Sequence, residues 1–142
     1  MKTDSFLIER TFNASISTVW EALTEAAKLQ QWYFNIESFK AEPGFKFQFL
    51  AGSEKKQYLH ICEVKEAEVQ KTLAYTWAYD NYPGKSCIKF ELFSVGTDTR
   101  LTLTHTGLET FPKDDPDFAK ASFAAGWTQI IGTNLKNFVE QT

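Results

Sequence analysis

A chain of 142 residues with a formal net charge of −3 is the right size for one domain with a real core, the organisation expected for 1–142. Lys55-Lys56 is its one basic doublet, so nucleic acid is excluded as the expected partner. No apolar stretch approaches the roughly 20 residues of a membrane span, and the opening "MKTDSFLIER" has no signal-peptide core, so a cytoplasmic protein is expected.

The predicted elements run in an informative order. Residues 6–12, "FLIERTF", alternate as a first strand. A helix follows over 14–23, with Ser15 as N-cap and Ile16, Val19, Trp20 and Leu23 on one stripe. A second short helix over 24–32 takes Thr24 as its cap and ends near Trp32. A weaker strand is expected over 35–42, then strands over 44–50, 56–64, 72–79, 87–95 and 100–107. Phe45, Phe47 and Phe49 share one face, as do Leu73, Tyr75, Trp77 and Tyr79, and Leu101, Leu103 and His105. "NYPGKS" (81–86) and "GTDT" (96–99) read as turns, and such short connections give an antiparallel meander. Asp115 as N-cap, Pro116 at the first helical position and Asp117 in the first turn then open one long helix. Its inward stripe is predicted as Phe123, Trp127, Ile130, Ile131, Asn134 and Phe138.

Strand, two short helices, antiparallel strands and a long helix imply an α+β fold, with a curved sheet of six or seven strands wrapped around the last helix. Such a sheet cannot touch a straight helix everywhere. The gap holds large side chains or a ligand. Aromatic residues are 15% of the chain, with 13 phenylalanines and 4 tryptophans, which suits either a Phe-heavy solid core or a cavity lined with rings.

Several stretches together resemble a known family. Arg10, Phe12, Ala14, Val19-Trp20, Leu23-Thr24 and Trp32, the strand "LAYTW" (73–77), the strand "DTRLTLTHTGL" (98–108) and "GW" (126–127) resemble the SRPBCC (START/Bet v 1-like) superfamily, in the branch named after the C-terminal domain of the activator of Hsp90 ATPase. The resemblance implies a helix-grip fold with a cavity between sheet and C-terminal helix. Eukaryotic activators carry a further N-terminal domain. The chain opens directly on the first strand, so an Hsp90-type chaperone is only a minor expectation as partner.

No catalytic or metal motif appears, and no cofactor is expected. Cys62 and Cys87 are read as free, buried thiols without a CxxC pattern. The expected function is binding of a small apolar ligand, lipid-like or aromatic. Its candidate residues are Trp32, Phe47, Tyr58, His60, Tyr75, Trp77, Tyr79, Phe90, Leu103, His105, Phe111, Phe123, Trp127 and Ile130. Tyr58 and Tyr79 would add hydroxyls, and Phe111 with Pro112 would form a gate. His60 and His105 are either satisfied core histidines or polar anchors. Arg10 is either a strand-end residue reaching water or an anchor for a carboxylate. Trp20 is assigned to the core, and Lys113, Asp114 and Lys120 to a solvated face. Two alternatives stay open: a cavity enzyme of cyclase or hydrolase type using His60, His105 or Tyr75, and a protein-interaction domain exposing an apolar patch. Gly126 before Trp127 costs about 1 kcal/mol in a helix. It is expected either to let the helix approach the sheet closely or to leave room for the ring.

Overall fold

Alternation of apolar and polar side chains builds six strands. In the computed structural model, which describes residues 5–52, 56–112 and 114–141, these are β1 (Ser5–Phe12), β2 (Lys46–Gly52), β3 (Gln57–Glu68), β4 (Thr72–Tyr79), β5 (Ser86–Val95) and β6 (Asp98–Thr106). Lys55 and Lys113 lie outside the described residues. The strands form one antiparallel sheet in the order β1-β6-β5-β4-β3-β2. Its concave face carries the buried set, including Ile8, Phe12, Leu101, Leu103, Ile88, Phe90, Leu73 and Tyr75. Between Val64 and Glu66 the pairing with β4 slips by one residue. The extra residue, Lys65, is a bulge, which bends the strand and increases its twist.

Two helices cross over after β1: α1 (Ile16–Thr24) and α2 (Ala26–Trp32). Ser15 caps α1 as expected, its Oγ accepting from the Thr18 N–H at 3.2 Å. Thr24 is not the cap of α2. Its hydroxyl turns back to the Trp20 carbonyl at 2.8 Å, and Glu25 takes the cap position without a side-chain bond.

The expected strand over 35–42 is absent. That segment is irregular, and its apolar side chains serve as a cover. Phe34 stacks on Phe49 at 4.5 Å between centroids, and Phe39 meets Phe47 edge-on at 5.1 Å. The Gln30 amide donates to the Ile36 carbonyl at 2.8 Å. Hydrogen-bonded to a side chain and packed by rings, this backbone has no need of a strand partner.

The C-terminal helix is not one uniform rod. Asp115 caps a single 3-10 turn, Pro116–Phe118, accepting from the Asp117 N–H through Oδ1 at 3.0 Å. The chain is extended at Ala119, then α3 runs Lys120–Gln129, a π segment Ile130–Leu135, and α4 Lys136–Glu140. The buried stripe is Phe123, Trp127, Ile131, Leu135 and Val139. Asn134 and Phe138 flank it half-buried, which corrects the predicted stripe. The buried residues are spaced by fours. In a pure α-helix each such step overshoots a full circle by about 40°, so Val139 would drift to the far side. The wider π segment absorbs that surplus.

Leu135→Ala is therefore expected to lower the unfolding free energy by about 2–5 kcal/mol. Asn134→Ala should change it by no more than about 0.5 kcal/mol. Urea denaturation of both variants checks the assignment.

Candidate functional site: an aromatic cavity under the C-terminal helix

Between the sheet and α3, from Ser122 to Ile130, a cavity of about 400 Å³ opens. Tyr58 and His60 from β3, Trp77 and Tyr79 from β4, Phe34 from the segment after α2, and Phe118 from the 3-10 turn line one side. Phe123, Gly126 and Trp127 of α3, with Ile130 at the start of the π segment, line the other. Ala51, Gly52, Lys56, Asp117 and Ser122 complete the lining. Among the lining residues Gly52, Lys56, Asp117, Ser122 and Gly126 are exposed and mark the mouth. The cavity wall is thus built of rings, with charge at its rim.

Of the predicted residues, Tyr58, His60, Trp77, Tyr79, Phe123, Trp127 and Ile130 come together on this cavity. Trp32, Phe47, Tyr75, Phe90, Leu103, His105 and Phe111 do not line it; they are buried behind it. Trp32 packs on α1, its indole donating to the Ala22 carbonyl at 2.8 Å. Phe47 meets Tyr75 edge-on at 5.0 Å. The Tyr75 hydroxyl pairs with that of Tyr33 at 2.7 Å, and burial raises both phenols well above their ordinary range. Phe111 stacks beneath Phe118 at 5.8 Å and Phe123 at 5.7 Å, so it backs the wall where a gate was expected. Alternation assigns a side chain to a face of the sheet; it does not say where on that face the helix touches. Phe34 lies between the predicted elements, and Lys56, Asp117 and Phe118 lie at the ends of theirs, where apolar periodicity does not single them out. Gly126, which the sequence singles out for its place before Trp127, is itself a lining residue.

Arg10 shares the alternation of Ile8 and Phe12 yet is exposed at the sheet edge. Its Nη1 donates to the Glu9 carbonyl at 2.8 Å. Its guanidinium lies over Gly132, Nε 3.6 Å from where a Cβ would stand, and it stays outside the cavity.

His105 is fully buried and bonded on both sides. The Trp127 indole N–H can only donate, so His105 Nδ1 accepts it, at 3.0 Å. Nε2 then carries the hydrogen and donates to Ser86 Oγ at 2.6 Å, and that hydroxyl donates onward to the Trp77 carbonyl at 3.1 Å. Burial pulls the His105 pKa down to about 3. A serine beside a histidine suggests a nucleophile and its base, but here the proton sits between them on the nitrogen. The imidazole cannot take the serine's proton in this tautomer, and the cavity does not reach either group.

His60 is buried among Phe49, Trp77 and Tyr79, at 4.6, 4.7 and 4.7 Å. Its Nδ1 donates to the Tyr58 carbonyl at 2.9 Å. Burial dominates and lowers its pKa to about 4, against the Tyr58 and Phe49 carbonyls, which favour the charged ring. At the mouth the Tyr58 hydroxyl donates to Asp117 Oδ2 at 2.6 Å. Burial and that bond lift the phenol to about 12. Lys56 Nζ sits 5.1 Å over the Tyr58 ring. Cys62 and Cys87 are free thiols, the first buried and the second half-buried. Among the described residues no group of three or more His, Cys, Asp and Glu is placed to hold a metal ion.

A curved six-stranded sheet gripping a long C-terminal helix is a helix-grip fold, and residues 13–140 match the family profile described as "Activator of Hsp90 ATPase homolog 1-like protein". The chain belongs to that family. Its architecture is shared by several solved structures. Protein MLL2253 from Mesorhizobium loti is 27% identical, with a TM-score of 0.76 and 98% of each chain covered. Bacillus halodurans protein BH1534 is 26% identical, with a TM-score of 0.77, covering 99% of this chain and 100% of that one. Protein CV1439 from Chromobacterium violaceum is 19% identical, with a TM-score of 0.81 over 97% and 98%. No curated protein matches the chain. No helix among the described residues is long and apolar enough to cross a membrane.

The two histidines give this family member a definite acid response. Each folded-state pKa lies below its ordinary value of 6.5, so below pH 6.5 the unfolded chain binds protons that the folded chain refuses. The stability from keeping these rings neutral is complete above pH 6.5 and is lost as pH falls toward about 4 for His60 and about 3 for His105. The slope is at most about 1.4 kcal/mol per pH unit for each ring. Urea unfolding from pH 7 to pH 4 should show this fall, with a shallower slope in His105→Gln.

Proposed function

We propose that the protein binds a small, mostly apolar molecule, lipid-like or aromatic, in the cavity between β3, β4 and α3. The observation that carries this reading is the space beside Gly126. A Cβ added there would meet nothing within 4 Å. The glycine is therefore not needed for close approach of the helix. Alanine would fit and would gain about 1 kcal/mol of helix propensity. Gly126 is exposed and lines the cavity beside Trp127, so its missing side chain keeps the opening over the Trp77 and Trp127 rings, 5.5 Å apart, unobstructed.

A volume of about 400 Å³ falls within the range of small-molecule sites, roughly 300–1,000 Å³. The ring faces offer contact to any flat or flexible apolar body. Family membership supports the same reading at the level of fold, though fold alone does not fix function. Chemistry on the bound molecule has less support, because His105 and Tyr75 are committed to bonds within the core.

Amide spectra of labelled protein titrated with pooled lipids, sterols and aromatic metabolites should show saturable shifts at Tyr58, His60, Trp77 and Trp127. Gly126→Ala should raise stability by about 1 kcal/mol and weaken those shifts only modestly. Gly126→Leu should stay folded and lose them. Shifts scattered over the surface, or unaltered in Gly126→Leu, would sink the reading.

A further inference from the structure

The cavity interior spends nearly all its hydrogen-bond donors on the protein itself. His60 gives Nδ1–H to the Tyr58 carbonyl, and the Trp127 indole gives its hydrogen to His105. Tyr58 donates to Asp117. Tyr79 differs. Its hydroxyl oxygen receives the Trp77 indole N–H at 2.8 Å, its one hydrogen bond among the described residues. An indole nitrogen is a donor only, so the Tyr79 oxygen is the acceptor and the phenol's own proton is unspent. The residue is only 8% exposed and lines the cavity. A buried donor left without an acceptor costs stability. The charged residues of the lining, Lys56 and Asp117, both stand at the exposed mouth. A carboxylate taken past them would be buried without a counter-charge, at high cost.

We infer that Tyr79 is the specificity-determining donor of the cavity, and that it selects an uncharged ring-bearing ligand whose acceptor oxygen reaches its hydroxyl. This rests on the cavity-binding reading above and adds the ligand's polarity to it. A pure hydrocarbon leaves the phenol proton unpaired. A carboxylate meets the proton but pays for its charge. A neutral ketone or ester satisfies the donor without that penalty.

Three matched probes separate these cases: 2-acetylnaphthalene, 2-isopropenylnaphthalene, in which CH2 replaces the oxygen, and 2-naphthoate. Tyr79→Phe alone would free the Trp77 indole to donate in its place. The decisive pair is therefore Trp77→Phe, which keeps the Tyr79 hydroxyl, and Trp77→Phe/Tyr79→Phe, which lacks it. Binding is read from amide shifts at neutral pH. The ketone should bind about tenfold more tightly than the hydrocarbon in the parent protein and in Trp77→Phe. That ratio should fall to near one in the double variant. A ratio near one in the parent protein, a ratio kept in the double variant, or naphthoate binding as tightly as the ketone would each overturn the proposal. In those cases binding of the hydrocarbon would leave the cavity reading standing. If none of the three probes binds, this inference falls, and the cavity reading is decided separately by the lipid and sterol titration.

Discussion

The hydrogen-bond chain from Trp127 through His105 and Ser86 to the Trp77 carbonyl is the constraint on which the rest of the structure depends. It joins the C-terminal helix to β6, β5 and β4 where sheet and helix begin to part. Apolar packing alone would let the helix roll or slide, because contact between hydrocarbons has little direction. A donor-only indole facing a single imidazole lone pair has direction. Breaking that contact inside the core leaves a group unpaired, at about 1–3 kcal/mol. The chain also fixes the Trp127 ring, so the same residue that ties the helix down forms a wall of the cavity.

The opening lies at one end of the helix, and geometry explains why. The far end is held by Ile131, Leu135 and Val139, all buried. There the backbone N–H of Asn13 also donates to Glu140 Oε2 at 2.9 Å. The π segment keeps those residues on the sheet side. At the near end the extended residue Ala119 breaks the helical run. The chain there turns so that Phe118 and Asp117 reach Tyr79 and Tyr58. A tight end and a splayed end are what a straight helix and a curved sheet produce when only one end can be packed solid.

Most of this fold was legible in the sequence, because it is written in alternation. The buried faces of β4, β5 and β6 follow from Leu73, Tyr75, Trp77 and Tyr79, from Ile88, Phe90 and Leu92, and from Leu101, Leu103 and His105, each set recurring at every second position. The seventh strand was misread because "NIESFKAE" alternates weakly, and alternation is silent about whether a partner strand exists. The helical stripe was misplaced at its end because a 3.6-residue period was carried through a π segment that the sequence does not announce. The site was half legible. Tyr75 and Trp77 look alike as neighbours on one strand face, yet one is sealed behind the other. Ser86, the middle of the polar chain, sits at the very start of β5, where the turn was expected to continue.

Whether the cavity is merely imperfect packing can be argued from the glycine. Cores are close-packed because unfilled space forfeits contacts, and where a void is cheap to fill a larger side chain is the simple remedy. At Gly126 the remedy is available without a clash, and the present residue is the one that costs most in a helix after proline. A chain that carries this cost beside Trp127, against a wall of rings, keeps volume that its own side chains could have taken. Nothing in the folding of the sheet or the seating of the helix requires that space, since the polar chain and the distal stripe already hold the helix. The proposed function supplies a reason for that cost: the space is kept for a ligand.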